Sequence, residues 1–132
     1  MAAIHARAFA GQGRNWSATE IGRLLKSAHV FAVGGLHAFA LGRVVADEAE
    51  LLTLATEPAH RGQGLGRAAL RAFEVEAVAR GACTAFLEVA ADNRAALALY
   101  LAERYDEAAR RPAYYQRETA IRIDALILRK SL

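Results

Sequence analysis

The chain has 132 residues, a length that fits one domain around one hydrophobic core. Apolar residues make up 55% of it and charged residues 23%, which excludes the low hydrophobicity and high net charge of a disordered protein. The net charge is only +3 and the charges are scattered, whereas proteins that bind duplex nucleic acid present a dense basic face. We therefore predict a single domain over residues 1–132 that does not bind nucleic acid.

Cysteine usage and hydropathy argue against secretion and against a membrane location. Cys83 is the only cysteine, so neither an intrachain disulfide nor a thiolate metal cluster can form. The start of the chain, Met1 to His5, lacks the basic segment and apolar core of a secretory signal. The longest apolar tract, Val30 to Leu41, has about 12 residues, against about 20 needed to span a bilayer. We expect a soluble, cytoplasmic protein with no membrane partner.

Two helices are predicted before the first strand. The first covers Ala2 to Phe9. Ser17 followed three residues later by Glu20 is the pattern of a capping box, which predicts the start of a second, amphipathic helix. The apolar side of that helix is formed by Ile21, Leu24 and Leu25.

Three strands joined by tight turns are predicted next. The pair Gly34-Gly35 supplies the positive φ that a two-residue turn requires, and so predicts a hairpin. A second turn is predicted at Asp47 to Ala49, and Pro58, which cannot donate into a ladder, limits the third strand. The predicted strands are Val30 to Val33, Leu36 to Val45 and Glu50 to Thr56.

The second half of the chain alternates helices and strands. A helical pattern runs from Leu65 to Arg80, and Gly81 is its predicted stop. Because this helix connects the third and fourth strands, those strands are predicted to be parallel in a right-handed unit. Asp92 or Asn93 caps a helix that runs to about Glu103. The remaining predictions are strands at Thr84 to Val89, Tyr105 to Arg110 and Ala120 to Leu128, the last two antiparallel, and a loop at Arg111 to Tyr115.

The segment between the third strand and the long helix, residues 61–67, is called here the glycine-rich loop. Glycines let the backbone approach a ligand closely, and a helix start leaves several N–H groups unpaired. From Ala59 to Phe73 the chain carries three arginines and no acidic residue, so the local field is positive. The loop therefore predicts an anionic group, such as a phosphate, bound by main-chain amides.

Two common phosphate-binding motifs fit this loop poorly. A P-loop needs Lys followed by Ser or Thr after its last glycine, and Arg67-Ala68 stands there instead. The dinucleotide pattern G-x-G-x-x-A matches Gly64 to Ala69, with an acidic residue, Glu88, further on. In that fold the first glycine directly follows its strand, whereas seven residues separate Thr56 from Gly64. Both motifs are therefore disfavoured.

The loop matches the acetyl-CoA signature Gln/Arg-x-x-Gly-x-Gly/Ala of the GNAT N-acetyltransferase superfamily, and the order of the flanking elements matches too. The chain most resembles the bacterial ribosomal-protein alanine N-acetyltransferases, over a stretch from about Ala8 to the last strand. The other segments that carry the resemblance are Trp16-Ser17, Leu87 to Val89, Asn93 to Ala96, Leu99-Tyr100 and Arg111 to Tyr115. The resemblance implies an α/β (α+β) fold with a mixed, mostly antiparallel sheet flanked by helices. A central parallel strand pair would splay between Thr56 and Val89, with the pantetheine arm of the coenzyme in the split.

The resemblance also implies an acetyl-CoA-dependent N-acetyltransferase, with CoA as a product, and assigns roles to individual residues. Glu88 matches the general base, and Tyr100 matches the acid that protonates the departing thiolate. Main-chain groups near the pantetheine would belong to Leu54, Ala55 and Thr56. The residues implied to hold the pyrophosphate or otherwise contact the coenzyme are Arg61, Gly62, Gln63, Gly64, Leu65, Gly66, Arg67 and Asn93.

These roles are chemically reasonable, although simpler interpretations stay open. Acyl transfer to an amine requires a neutral nucleophile, so a carboxylate in a cleft can take the proton. A phenol with pKa about 10 can protonate a thiolate whose thiol has pKa about 8.5, a step that is only mildly uphill. Glu88 could instead be a solvated or ion-paired carboxylate, and Tyr100 a core residue with a satisfied hydroxyl.

The choice of acceptor amine is limited by the free energy that its deprotonation costs. At pH 7 this costs about 4.6 kcal/mol for a lysine and about 1.4 kcal/mol for an α-amine, which favours the N-terminus of a protein or peptide. A small-molecule amine, or a non-catalytic module that binds acyl-CoA as a sensor or scaffold, remains an alternative. Tyr114 and Tyr115 are predicted to line the substrate groove. No metal is expected, because the histidines share no metal-ligand spacing: His5, His29, His37 and His60.

Two departures from the family pattern concern the ends of elements. Relatives have a strand before the first helix, so either this sheet lacks its first edge strand or the chain starts further upstream. An open edge would permit dimerisation, and we expect a monomer or a weak dimer. After Tyr100, Arg104-Tyr105 replaces the Gly-Phe pair that ends the helix in relatives, which puts the helix end in question because Arg tolerates positive φ poorly.

Overall fold

The computed structural model describes residues 17–116 and 121–132. These residues form a sheet whose strands are β1 (Val30–Gly34), β2 (Ala38–Val45), β3 (Glu48–Thr56), β4 (Thr84–Ala90), β5 (Asp106–Gln116) and β6 (Arg122–Ser131). The helices are α1 (Ala18–Leu25), α2 (Leu65–Ala79) and α3 (Arg94–Ala102), with a short 3-10 helix at Pro58–His60. The strand order is β1-β2-β3-β4-β6-β5, and every neighbouring pair is antiparallel except β3 and β4. The predicted mixed, mostly antiparallel sheet with a central parallel pair is confirmed.

Helix α1 begins at the predicted capping box. The N–H of Glu20 donates to Ser17 Oγ at 3.1 Å, and the N–H of Ser17 donates to Glu20 Oε1 at 3.4 Å. Ile21, on the apolar side of the helix, is buried. The helix predicted at Ala2 to Phe9 and the question of a missing first edge strand lie outside the described residues.

The first hairpin is confirmed, but its turn is longer than predicted. Gly34 still pairs with Phe39, and the N–H of Gly35 donates to Ala38 O at 2.8 Å. Gly34 has φ +131°, and a Cβ on it would lie 2.4 Å from the carbonyl oxygen of Ala38. Gly34 therefore permits close strand approach, and the glycine pair does not form a two-residue turn. Strand β2 starts at Ala38, and Leu36 in the turn is 82% exposed.

The second turn also differs from the prediction. Val45 pairs with Glu48, so the connection consists of Ala46 and Asp47 alone, and Ala46 has φ +55°. The strand predicted to begin at Glu50 therefore begins at Glu48. Sequence reasoning misplaced this turn because an alanine with positive φ has no local signal.

The helices cover both faces of the sheet. On one face α2 buries Leu70, Phe73 and Ala77 in the main core, and Gly42 of β2 lets the Phe73 ring approach, since a Cβ there would lie 2.7 Å from it. Tyr100 of α3 belongs to the same core. On the other face, Leu24 of α1 packs against a smaller buried cluster, which consists of Val30, Phe39, Leu41 and Ala55. Among the described residues no helix has both the length and the apolar character that crossing a bilayer requires.

Both α2 and α3 end with the same pair of backbone hydrogen bonds. Gly81, the predicted stop of α2, has φ +96°. Arg104 takes the equivalent position after α3 with φ +73°. There its N–H donates to Leu101 O at 3.1 Å, and the N–H of Tyr105 donates to Tyr100 O at 2.9 Å. This is a Schellman motif, so the arginine takes the left-handed position that glycine usually occupies at a helix end.

The loop predicted at Arg111 to Tyr115 is wrong, because these residues belong to β5. Arg111 pairs with Ala125 and Tyr115 with Ile123, so three residues of β5 lie opposite the single residue Asp124. Pro112 suggested a chain break, but an edge strand tolerates proline at a bulge, where its missing N–H is not needed. Strand β6 begins at Arg122 and ends at Ser131, three residues later than predicted at its C-terminal end.

Candidate active site

Strands β3 and β4 separate halfway along their length. Their parallel pairing runs from Glu48 and Thr84 to Leu51 and Leu87 and then stops, although both strands continue. At the same level Leu52 is an unpaired bulge residue in β3, because Leu41 and Gly42 of β2 pair with Thr53 and Leu51. A bulge bends its strand and increases its twist, which turns the end of β3 away from β4. The gap beyond the last pair is the predicted split, and sequence reasoning missed the bulge that accompanies it.

The glycine-rich loop lies at the end of β3 and offers unpaired donors. Gly62 and Gly64 have φ +80° and +76°, a conformation that would strain any residue with a side chain. Within the described part of the chain, the backbone N–H groups of residues 62–67 donate no hydrogen bond. The loop and the first turn of α2 can therefore offer these donors to an anion.

The start of α2 is packed directly against the end of β3 and against α3. A Cβ on Gly66 would lie 3.2 Å from Thr56 Oγ1 and 3.7 Å from Leu99 Cδ2. Leu54 of β3 and Leu65 of α2 both pack against the main core, whereas Ala55 faces the smaller cluster. The end of β3 and the start of α2 are therefore in direct contact at Thr56 and Gly66.

The arginines of the loop and of α2 differ in their surroundings. Arg61 and Gln63 are exposed. Arg71 donates to the Glu103 carboxylate, with Nε 2.6 Å from Oε1, and this hydrogen bond holds the pKa of Glu103 below its usual range. Arg67 lies further from the same carboxylate, with Nε 3.7 Å from Oε2. A phosphate bound at the loop would therefore compete with Glu103 for Arg67.

Glu88 lies in β4 immediately beyond the last residue that pairs with β3. It pairs on its other side with Ile127 of β6, and its side chain is half-buried. Its Oε1 atom is buried and has no hydrogen-bond partner among the described residues. A buried carboxylate oxygen without a partner is costly, so this position suits a group that bonds to a substrate or to water.

Tyr100 is buried on the other side of β4. Alternation along the strand directs Glu88 away from Leu87 and Val89, which share the main core with Tyr100. The Tyr100 ring packs edge-on against Tyr105 at 5.9 Å, and its hydroxyl donates no hydrogen bond to any described residue. Burial raises the pKa of Tyr100 above its ordinary value. The phenol therefore stays protonated at neutral pH, and its raised pKa makes proton transfer to a departing thiolate more uphill than the ordinary phenol value implies.

Asn93 and the tyrosine pair lie at the open end of the split. The side chain of Asn93 caps α3, with Oδ1 accepting from the N–H of Ala96 at 3.3 Å. The bulge of β5 is held by Asp124, which accepts from the N–H of Ala113 at 2.9 Å. Ala90 of β4 pairs with Ala125 of β6, which pairs with Arg111, so the bulge is level with the end of β4.

Tyr114 and Tyr115 on this bulge meet edge to face, with ring centroids 5.1 Å apart. Tyr114 is 51% exposed, and the Arg111 guanidinium lies 5.4 Å from the centre of its ring. An open pocket lies beside the bulge, lined by Ala91, Asp92, Arg94, Arg122, Ile123 and Asp124. The tyrosines are therefore at the same end of the sheet as the split, two strands from β4.

A split parallel pair beside a loop of free amides is the arrangement that the acetyltransferase resemblance implies, and the sequence profile of the acetyltransferase (GNAT) family matches residues 7–104. The chain belongs to this family. In Escherichia coli strain K12, the ribosomal protein bS18-alanine N-acetyltransferase is 45% identical over 95 residues, which are 72% of this chain and 64% of that protein. The chain thus spans just under two thirds of the length of this relative.

Two further comparisons cover more of the chain. The N-alpha-acetyltransferase RimI of Mycobacterium tuberculosis is 36% identical over 124 residues, which are 87% of this chain and 76% of that protein. The crystal structure of the Escherichia coli ribosomal-protein-S18-alanine N-acetyltransferase superposes with a TM-score of 0.86 at 36% identity, covering 98% of this chain and 84% of that chain. The predicted family and fold are confirmed.

Proposed function

We propose that the chain is an acetyl-CoA-dependent N-acetyltransferase whose acceptor is the N-terminal α-amine of a protein, of the ribosomal-protein alanine type. The observation that carries this proposal is the split, with free backbone donors on one side and the partnerless oxygen of Glu88 at its start. The names of the Escherichia coli and Mycobacterium tuberculosis relatives support the same acceptor class.

The residues present fit the coenzyme, which would supply the acetyl group as an activated thioester. The N–H groups of residues 62–67 would bind the pyrophosphate, with the positive φ of Gly62 and Gly64 keeping side chains out of its way. The unpaired edge of β3 beyond Leu52 would hydrogen-bond to the amide groups of the pantetheine arm. Asn93, at the start of α3, contributes its side-chain amide to the same side of the site.

In the proposed reaction, Glu88 and Tyr100 move the two protons. Glu88 removes a proton from the attacking amine, directly or through a water molecule, as the nitrogen bonds to the acetyl carbon. Tyr100 donates its phenolic proton to the sulfur as the carbon–sulfur bond breaks. One carboxylate is enough for an α-amine, because making such an amine neutral at pH 7 costs only about 1.4 kcal/mol. Tyr114 and Tyr115 would contact the residues that follow the acceptor amine.

The test is thiol release from acetyl-CoA with a panel of N-terminal peptides, run on the wild type and on Glu88→Gln. We expect release that depends on an N-terminal alanine or similar small residue, and a loss of about 100-fold in kcat in the variant. Calorimetry should give the same acetyl-CoA affinity for both proteins, since Glu88 contacts the acceptor rather than the coenzyme. Tight coenzyme binding without peptide-dependent release would contradict the proposal and favour an acyl-CoA-binding sensor.

A further inference from the structure

Three side chains that bind metals in other proteins meet beside the glycine-rich loop. His37 is in the turn between β1 and β2, Glu57 follows β3, and His60 ends the 3-10 helix. His37 Nδ1 lies 3.2 Å from Glu57 Oε2, and the imidazole rings of His37 and His60 have centroids 3.7 Å apart. One ligand atom from each of the three residues lies within 4.8 Å of the other two.

The backbone holds these three residues together independently of their side chains. The N–H of Glu57 donates to the carbonyl of His37 at 2.7 Å, and the N–H of His60 donates to the carbonyl of Glu57 at 2.9 Å. Pro58 fixes φ at the first position of the short helix, which places Glu57 and His60 one turn apart. The three positions are therefore set before any ion binds.

The donor set is that of a zinc-type site. Two imidazole nitrogens and one carboxylate oxygen are the protein ligands of several zinc centres, with a water molecule in the fourth position. Bonds of about 2.0–2.2 Å put neighbouring ligands of tetrahedral zinc about 3.3–3.6 Å apart, near the present His37–Glu57 distance of 3.2 Å. The His37 and Glu57 side chains are 37% and 24% exposed, which leaves access for an ion and a water. The two rings are only 17° from parallel, so a side-chain rotation of His60 is needed to aim both nitrogens at one ion.

We propose that His37, Glu57 and His60 bind a divalent transition-metal ion of the zinc class. The ion would join the turn between β1 and β2 to the segment that leads into the glycine-rich loop, since His60 directly precedes Arg61. The ion would not contact Glu88 or Tyr100, so the metal site and the acetyl transfer can be tested independently. The spacing of His37 from the other two residues explains why the sequence alone predicts no such site.

The test is a calorimetric titration with zinc chloride on the tag-free chain carrying Cys83→Ser, because the exposed Cys83 thiol could itself bind zinc. We expect one zinc ion per chain, with affinity at least about tenfold weaker in His60→Gln and in His37→Gln, since each removes a ligand. His29→Gln is the matched control: this histidine is exposed and outside the cluster, so the affinity should not change. Cobalt in place of zinc should give the visible absorption of a tetrahedral centre in the parent and not in His60→Gln.

Circular dichroism on every variant separates loss of a ligand from loss of fold. Should a histidine variant unfold, Glu57→Gln keeps the side-chain size and can keep the bond to His37, and it should also weaken zinc binding. Zinc binding that is absent in the parent, or equally tight in the folded ligand variants, would overturn the proposal. Peptide-dependent thiol release by the zinc-free protein would leave the proposed function intact whichever result is obtained.

Discussion

Arg104 adopts a backbone conformation that residues with side chains rarely take. Its φ of +73° closes the Schellman motif after α3, and its side chain is exposed. The strained position directly precedes Tyr105, whose ring packs against Tyr100. The left-handed conformation thus joins the end of α3 to the core around the candidate acid.

Replacing Arg104 by glycine should stabilise the protein. The left-handed conformation costs a residue with a Cβ about 1–2 kcal/mol, and glycine loses part of this gain through its more flexible unfolded state. We expect Arg104→Gly to raise the free energy of unfolding by about 0.5–1 kcal/mol, measured by urea denaturation. Arg104→Ala is the matched control, because it removes the same side chain and keeps the strain. An equal gain in both variants would mean that the side chain, not the backbone, is responsible.

Tyr100 and Tyr105 are neighbouring buried tyrosines with different hydroxyl environments. The Tyr105 hydroxyl donates to Glu74 Oε2 at 2.9 Å, and Lys130 Nζ donates to the same carboxylate at 2.9 Å. The Tyr100 hydroxyl donates to no described residue. The Tyr105 hydroxyl therefore contributes to stability, and the Tyr100 hydroxyl is available for proton transfer.

Removing each hydroxyl should separate these roles. We expect Tyr105→Phe to lower the free energy of unfolding by about 1.5–3 kcal/mol, the typical contribution of a hydrogen bond to a charged group, with kcat changed little. Tyr100→Phe should leave stability within about 0.5 kcal/mol and lower kcat about 100-fold. The measurements are urea denaturation and thiol release at saturating peptide. A stable Tyr100→Phe protein with full activity would remove Tyr100 from the mechanism.

At the scale of elements, two bulges shape the site. The bulge at Leu52 lies where β3 leaves β4, and the bulge opposite Asp124 carries Tyr114 and Tyr115. The glycine-rich loop then connects the freed end of β3 to α2. The two bulges are irregularities within strands, and the loop is a connection. All three lie at the end of the sheet where β3 and β4 have separated.

The loop prediction is tested by adding a side chain at Gly64. Its φ of +76° disfavours any Cβ, and the residue precedes the unpaired donors at the start of α2. We expect Gly64→Asp to weaken acetyl-CoA binding at least about tenfold by calorimetry, through strain and repulsion of phosphate, while the fold is retained. Gly22→Ala is the control, since Gly22 is in α1 and a Cβ added there would meet no atom within 4 Å. Unchanged affinity in Gly64→Asp would mean that the pyrophosphate site is elsewhere.

At the scale of the whole molecule, helices α2 and α3 are held together by charge as well as by the core. Glu103 at the end of α3 accepts from Arg71 of α2 at 2.6 Å, and its side chain is only 10% exposed. The same helices carry the loop and Tyr100, so this contact sets how the two halves of the candidate site face each other. The single domain, the cytoplasmic location and the monomeric or weakly dimeric state stay predictions.

The Arg71–Glu103 contact predicts a pH dependence of stability. The pKa of Glu103 is lowered in the folded state below its ordinary 4.5, so the contact stabilises the protein above about pH 4.5 and is lost as pH falls through the lowered pKa. We expect wild type to have a higher Tm than Glu103→Gln at pH 7, and this difference to close in acid. The difference should also shrink in an Arg71→Gln background, because the partner charge is gone. A difference that stays constant with pH would assign the effect to packing.

Much of the fold and site could be predicted because the signals were local. The capping box at Ser17, the stop at Gly81 and the amide-rich glycine loop each need only a few neighbouring residues to form. Turns and helix ends were less predictable, because Ala46 and Arg104 have positive φ without being the glycine that would indicate this conformation. The segment around Pro112 was predicted as a loop since its strand character comes from pairing with β6.

The sequence by itself determined the family, the order of helices and strands, and the candidate residues Glu88 and Tyr100. Periodicity, helix caps and a glycine motif depend on residues that are close together in the sequence, so a sequence pattern can reveal them. Only the tertiary structure decided where β3 leaves β4, that the Glu88 carboxylate has a buried oxygen without a partner, and that His37 meets Glu57 and His60. Those features depend on contacts between residues far apart in the chain, whose distances are set by the packing of the whole sheet.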